Sequence, residues 1–74
     1  MSEAVKLIVE ARVSLKDRIA LEEMRQHRQQ LRNELLQRAG QSFDFSQTIK
    51  SFDDDIMAIE EGIARLDDEG SRIA

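Results

Sequence analysis

Three consecutive aspartates and a single histidine are the residues of this chain with the most obvious chemical potential. Asp53, Asp54 and Asp55 form an acidic triplet of the kind that attracts hard cations. His27 lies four residues after Glu23, a spacing that fits a carboxylate–imidazole pair on one helix. Cation binding or acid–base catalysis would require such groups to converge on one point. Whether these side chains can converge depends on the secondary structure of the segments that contain them.

Helical geometry keeps these groups apart. Consecutive side chains on an α-helix point about 100° away from each other, so the three aspartates cannot meet at one ion, and no glycine-containing EF-hand alternation accompanies them. The chain also has no cysteine, tyrosine or tryptophan, which leaves few candidates for covalent catalysis. We therefore predict no enzymatic activity, no catalytic residue, no metal site and no cofactor. The triplet is expected to be a solvated acidic face, and His27 to have a structural or solvent-facing role.

Composition indicates the class of fold. Seventy-four residues make one small domain with a marginal core, and the absence of cysteine removes disulfides and thiolate metal sites as sources of stability. The chain has no proline, only three glycines and abundant Glu, Arg, Gln, Leu and Ala, which favours helix over sheet. An all-α protein stabilised by helix packing or self-association is expected.

Two apolar seams with alternating spacings of three and four residues predict a pair of packed helices. The seam of the second half comprises Ile49, Phe52, Ile56, Ile59, Ile63 and Leu66. The seam of the first half comprises Leu21, Met24, Arg28, Leu31 and Leu35. The connector between them predicts an antiparallel, coiled-coil-like two-helix hairpin that assembles as a dimeric helical bundle. The predicted segments of this single domain are an N-terminal helical extension at 1–20, with a bend allowed near 14–22, helix one at 21–39, a turn at 40–46, helix two at 47–69 and a frayed tail at 70–74.

Charge supports the antiparallel register. Residues 1–40 carry eight Lys and Arg against six Asp and Glu, whereas residues 41–74 carry three against nine. In the hairpin register, one edge of the first helix is basic and the facing edge of the second helix is acidic. Exposed pairs of this kind add little to the stability of the hairpin and mainly select its antiparallel orientation. The predicted ion pairs are Arg18 with Asp67, Arg25 with Glu60, and Arg32 with Asp53.

Read as a helix, the N-terminal segment carries a second apolar stripe that the hairpin seam does not use. An apolar face that the chain cannot cover itself is typical of an interaction site, and a second copy is the simplest partner. We expect homodimerisation or docking on another helical protein, with no small-molecule substrate. The predicted interaction surface comprises Val5, Ile8, Arg12, Leu15 and Ile19.

Read as a strand, the same segment predicts a different protein. Apolar residues alternate between Val5 and Val13, and residues 14–17 read as a variant capping box that opens a helix at Leu15. A strand followed by helices resembles ribbon-helix-helix proteins, which pair their strands across a dimer and bind DNA. This resemblance implies a dimeric nucleic-acid-binding regulator. The acidic chain favours the protein-binding alternative, and its Gln- and Arg-rich run at residues 24–35 has no Phe, Tyr or Trp on which bases could stack.

Apolar runs are too short for a membrane segment. The longest run near the N-terminus is Leu7, Ile8 and Val9, far below the length of a signal-peptide core or a membrane span. We therefore expect a cytoplasmic protein with no membrane partner.

Overall fold

A computed structural model describes residues 3–38 and 45–73 of the chain, with side chains described as far as residue 69. This part of the chain contains three α-helices and no strand: α1 (Glu3–Ser14), α2 (Arg18–Arg38) and α3 (Ser46–Ile73). The all-α prediction is confirmed. Most of the predicted turn at 40–46 lies outside the described residues. Helix α3 begins one residue before the predicted start at 47 and continues past the predicted end at 69.

Helices α2 and α3 pack along the predicted seam. Leu21 and Ile59 are fully buried, Ile63 is buried beside them, and Met24 and Leu66 pack against this cluster. The predicted ion pairs along one edge are confirmed, which establishes the antiparallel register of the two helices. They join Arg18 Nε to Asp67 Oδ1 at 3.1 Å, Arg25 Nη1 to Glu60 Oε2 at 3.8 Å, and Arg32 Nε to Asp53 Oδ1.

The predicted two-helix hairpin is wrong, because the N-terminal segment is a separate helix that packs on α3. Val5, Val9 and Val13 lie one turn apart on α1, and all three are buried. Gly62 makes room for two of them on α3, since a Cβ atom there would lie 2.7 Å from Cγ1 of Val9 and 3.2 Å from Cγ2 of Val13. The N-terminal segment is therefore part of the core rather than an extension beyond it.

A tight turn at residues 15–17 replaces the bend that the sequence allows near 14–22. The amide of Asp17 donates to the carbonyl of Arg12 at 2.9 Å, and the amide of Lys16 donates to that of Val13 at 3.0 Å. With Lys16 at a φ of 56°, these bonds form a Schellman motif that ends α1. Glycine is the usual residue at this left-handed position, so a lysine there gives no sequence signal.

Asp17 also starts the next helix. Its Oδ1 accepts a hydrogen bond from the amide of Ala20 at 3.2 Å, and its carbonyl accepts one from the amide of Leu21 at 3.3 Å. These contacts make Asp17 the N-cap of α2. The capping box read over residues 14–17 is therefore wrong, because Ser14 ends α1 instead of opening a helix.

The strand reading of residues 5–13 is wrong as well, since this whole segment is helical. Burial of Val5, Val9 and Val13 follows a four-residue period rather than the two-residue period of a strand. The alternation of apolar residues arises because α1 is apolar on more than one side. A paired N-terminal ribbon, as in ribbon-helix-helix proteins, is incompatible with this helix.

Helix α1 covers only part of the α2–α3 pair. The structure measures 51 × 21 × 15 Å. At about 1.5 Å per residue, the 12 residues of α1 span roughly 18 Å and the 28 residues of α3 roughly 42 Å. The molecule therefore has three helices in cross-section near the 15–17 turn and two helices further away.

Candidate interaction surface

Helix α1 is apolar on two opposite sides. Its inner side consists of the three buried valines. Residues on the other side are also apolar, yet they are exposed to solvent: Leu7 is 70% exposed and Leu15 is 69% exposed. A helix that is apolar all round is normally buried all round. We call this second side the outer face of α1, and it comprises Ala4, Leu7, Ile8, Ala11 and Leu15.

The five residues predicted as an interaction surface fall into different environments. Val5 is buried in the core and is unavailable to a partner. Ile8 and Leu15 lie on the outer face, and Ile19 is exposed on the first turn of α2. Arg12 is half-buried, and its Nη1 lies 3.3 Å from Oδ2 of Asp17, so it braces the turn. The predicted stripe combined residues from both sides of α1.

Sequence reasoning missed Leu7 and the two alanines of the outer face. The signal was present, because positions 4, 8, 11 and 15 repeat at spacings of four, three and four residues. The amide of Leu15 donates to the carbonyl of Ala11 at 3.1 Å, so the helical path continues to the end of this series. The predicted stripe joined Val5 to Ile8 and Leu15, which hid the repeat at positions 4, 8, 11 and 15.

An ion pair joins the polar flank of α1 to α3. Arg65 donates two hydrogen bonds to Glu10, from Nη1 to Oε1 at 2.7 Å and from Nη2 to Oε2 at 3.0 Å. The guanidinium lowers the pKa of the Glu10 carboxyl through the hydrogen bonds first and through its charge second. The same contact raises the pKa of Arg65. This two-pronged pairing is orientation-specific, so it helps to hold the outer face away from α3.

The acidic triplet is not the solvated face that the sequence predicts. Asp55 is only 8% exposed, and its Oδ2 lies 3.7 Å from Nε of Arg28 across the α2–α3 interface. Its other oxygen, Oδ1, is buried without a hydrogen-bond partner. Asp53 pairs with Arg32 instead. The register of the two helices therefore engages Asp53 and Asp55 in separate contacts with α2.

Neither a metal centre nor a membrane segment is found in the described part of the chain. Among its side chains, no group of three or more His, Asp or Glu residues could hold a metal ion. None of its helices is long and apolar enough to cross a membrane. His27 is exposed on α2. The outer face of α1 is thus the feature of the described residues that invites a functional interpretation.

Comparisons with known proteins identify no relative. No protein-family model, no curated protein and no solved structure matches this chain.

Proposed function

We propose that this chain is a non-catalytic protein–protein association module that pairs with a second copy through the outer face of α1. The observation that carries the proposal is the exposure of this face. Leu7 on α1 and Leu15 directly after its last residue are each more than two-thirds exposed, whereas the opposite side of α1 is already buried. Contiguous apolar surface of this kind marks interaction sites in soluble proteins.

The pattern of residue sizes favours a second copy as the partner. Small Ala4 and Ala11 alternate with large Ile8 and Leu15 along the outer face. A two-fold axis across the helix would set the small residues of one copy opposite the large residues of the other, which is how packed layers interdigitate. The same surface then serves both partners.

The size of the core supports association. The described residues bury seven apolar side chains, and Leu21 and Ile59 are the fully buried large ones. Domains of this length without disulfides or metals commonly gain stability by oligomerisation. Pairing through the outer face would add a second apolar layer around α1.

Sedimentation equilibrium of the full chain tests the proposal. We expect a dimer at concentrations of roughly tens of micromolar, the range of a modest interface. Leu7→Asp should shift the chain to monomer, because it places a charge in the pairing surface. Leu7 is suited to this test because its exposure means that little intrachain packing is lost.

Met57→Asp is the matched control. Met57 is 60% exposed on α3, so the same kind of apolar residue is replaced by the same charge away from α1. This variant should remain dimeric, and circular dichroism should give the same helical content for all three proteins. A monomeric wild-type chain would refute pairing through the outer face. Equal weakening of dimer association by Leu7→Asp and Met57→Asp would refute it as well.

A further inference from the structure

The turn between α1 and α2 is built from residues that also suit a helix. It contains neither glycine nor proline, and Lys16 occupies the left-handed region at a φ of 56°. That conformation is unfavourable for a residue with a Cβ atom, whereas lysine and leucine are good helix formers. The alternative to the turn is therefore a continuous helix over residues 3–38. The folded-back form persists because α1 gains its contacts on α3.

Those contacts do not depend on the turn. Helix α1 packs mainly on α3, where Val9 and Val13 flank Gly62 and Glu10 holds Arg65. Helix α3 begins only at Ser46, far along the chain from the turn at residues 15–17. The groove beside Gly62 is formed by α3 together with Leu21 of α2. It would accept α1 of another copy through the same contacts, because none of these side chains belongs to the turn at residues 15–17.

We propose that this groove also binds α1 of a second copy, in a dimer that exchanges α1 helices after residues 15–17 become helical. In this dimer, α1 of one copy would make on the other copy the contacts that it already makes within one chain. Val9 and Val13 would again flank Gly62, and Glu10 would again pair with Arg65. Exchange uses the inner side of α1, so it is independent of pairing through the outer face. It would release the left-handed strain at Lys16 in both copies.

Charge reversal at the Glu10–Arg65 pair tests the exchange. A Glu10→Arg chain carries two arginines at this contact, and an Arg65→Glu chain carries two glutamates, so neither forms the pair within itself. In an exchanged heterodimer both contacts would again join arginine to glutamate. Both chains should also carry Leu7→Asp, which removes association through the outer face and keeps the two proposals distinguishable.

Native mass spectrometry of the mixture, after warming and slow cooling, gives the readout. We expect heterodimers to exceed the statistical ratio to homodimers by at least about fivefold at low salt, and the excess to shrink as salt screens the charges. The side chain of Arg65 is 49% exposed and that of Glu10 is 60% exposed, so the reversals should leave the core intact. The matched control mixes a Leu7→Asp chain with one that carries all three substitutions. In the exchanged heterodimers of this control, the side chains at positions 10 and 65 would carry like charges. Heterodimers should therefore fall below the statistical ratio to homodimers.

Two substitutions at Lys16 provide a second measurement that does not alter the interface. Lys16→Gly and Lys16→Ala both remove the lysine, but glycine favours the left-handed turn and alanine favours the continuous helix. In the Leu7→Asp background, the dimer dissociation constant of the glycine variant should be at least about tenfold higher than that of the alanine variant, because formation of each exchanged dimer converts two turns into helix. Monomeric behaviour of the alanine variant together with a statistical mixture of the charge-reversed chains would overturn the exchange.

Discussion

At the residue scale, the Glu10–Arg65 pair makes the docking of α1 sensitive to pH. The pKa of Glu10 is lower in the folded protein than in an unfolded chain because Arg65 donates hydrogen bonds to its carboxylate. A lowered folded-state pKa means that the pair stabilises the fold above the unfolded pKa, ordinarily near 4.5. This contribution is lost as the pH falls through the folded-state pKa.

The titration of Glu10 should therefore respond to Arg65. In Arg65→Gln we expect the pKa of Glu10 to rise to the range of an ordinary glutamate, as measured by NMR of the side-chain carboxyl carbon. Arg25→Gln is a suitable control, since Arg25 on α2 pairs with Glu60 on α3. Its replacement should leave the pKa of Glu10 unchanged. A Glu10 pKa that is unaffected by loss of Arg65 would contradict the paired geometry.

The Arg28–Asp55 contact should behave asymmetrically on mutation. Arg28→Met leaves the buried Asp55 carboxylate without its counter-charge, so we expect the free energy of unfolding to fall by about 1–3 kcal/mol. Replacing both residues, as Arg28→Met with Asp55→Leu, removes the unpartnered oxygen together with the charge. This double variant should be at least as stable as the wild-type chain.

Urea denaturation measures both variants. Arg18→Met is a control for loss of an exposed pair, because Arg18 and Asp67 are each about half exposed, and it should change stability by less than about 1 kcal/mol. Equal effects of Arg18→Met and Arg28→Met would show that burial of Asp55 has no energetic consequence.

At the element scale, the approach of α1 to α3 depends on the missing side chain at Gly62. Gly62→Ala would place a Cβ atom 2.7 Å from Cγ1 of Val9, so one helix must shift. Overpacking of this kind costs about 1–3 kcal/mol, and the gain of about 1 kcal/mol in helix propensity offsets only part of it. We expect a net loss of stability of about 1 kcal/mol.

A double-mutant cycle isolates this contact. Val9→Ala removes the clashing atom, so Gly62→Ala should be less destabilising in that background, with a coupling of at least about 0.5 kcal/mol. Val5→Ala provides the comparison, because it truncates a buried valine of α1 that is not among the nearest neighbours of Gly62. The same coupling with Val5 as with Val9 would argue against a specific contact at Gly62.

At the scale of the whole molecule, the three helices form an uneven structure. Helix α1 thickens one end of the α2–α3 pair and leaves its own outer face apolar and exposed. If the outer face pairs as proposed, the free energy of unfolding includes the free energy of association, and the melting temperature rises with protein concentration. In Leu7→Asp the melting temperature should no longer depend on concentration.

The sequence by itself determined the helical class, the α2–α3 seam and its register. These features follow from local spacing: apolar residues at intervals of three and four give the seam, and Arg18, Arg25 and Arg32 face carboxylates only in the antiparallel arrangement. Periodicity and charge are properties of each segment, so they can be read without the fold. They also indicated a further apolar face near the N-terminus.

Only the tertiary structure decided how the N-terminal segment is used. Helix propensity favours a single long helix through residues 14–18, and no glycine at position 16 announces a turn. Burial of Val5, Val9 and Val13, with Val9 and Val13 beside Gly62, outweighs that preference, and it comes from residues some 50 positions apart. The same packing assigned Val5 to the core and left Leu7 and Leu15 outside. The sequence is compatible with either apolar side of α1 facing the core, and packing on α3 determines which side is buried.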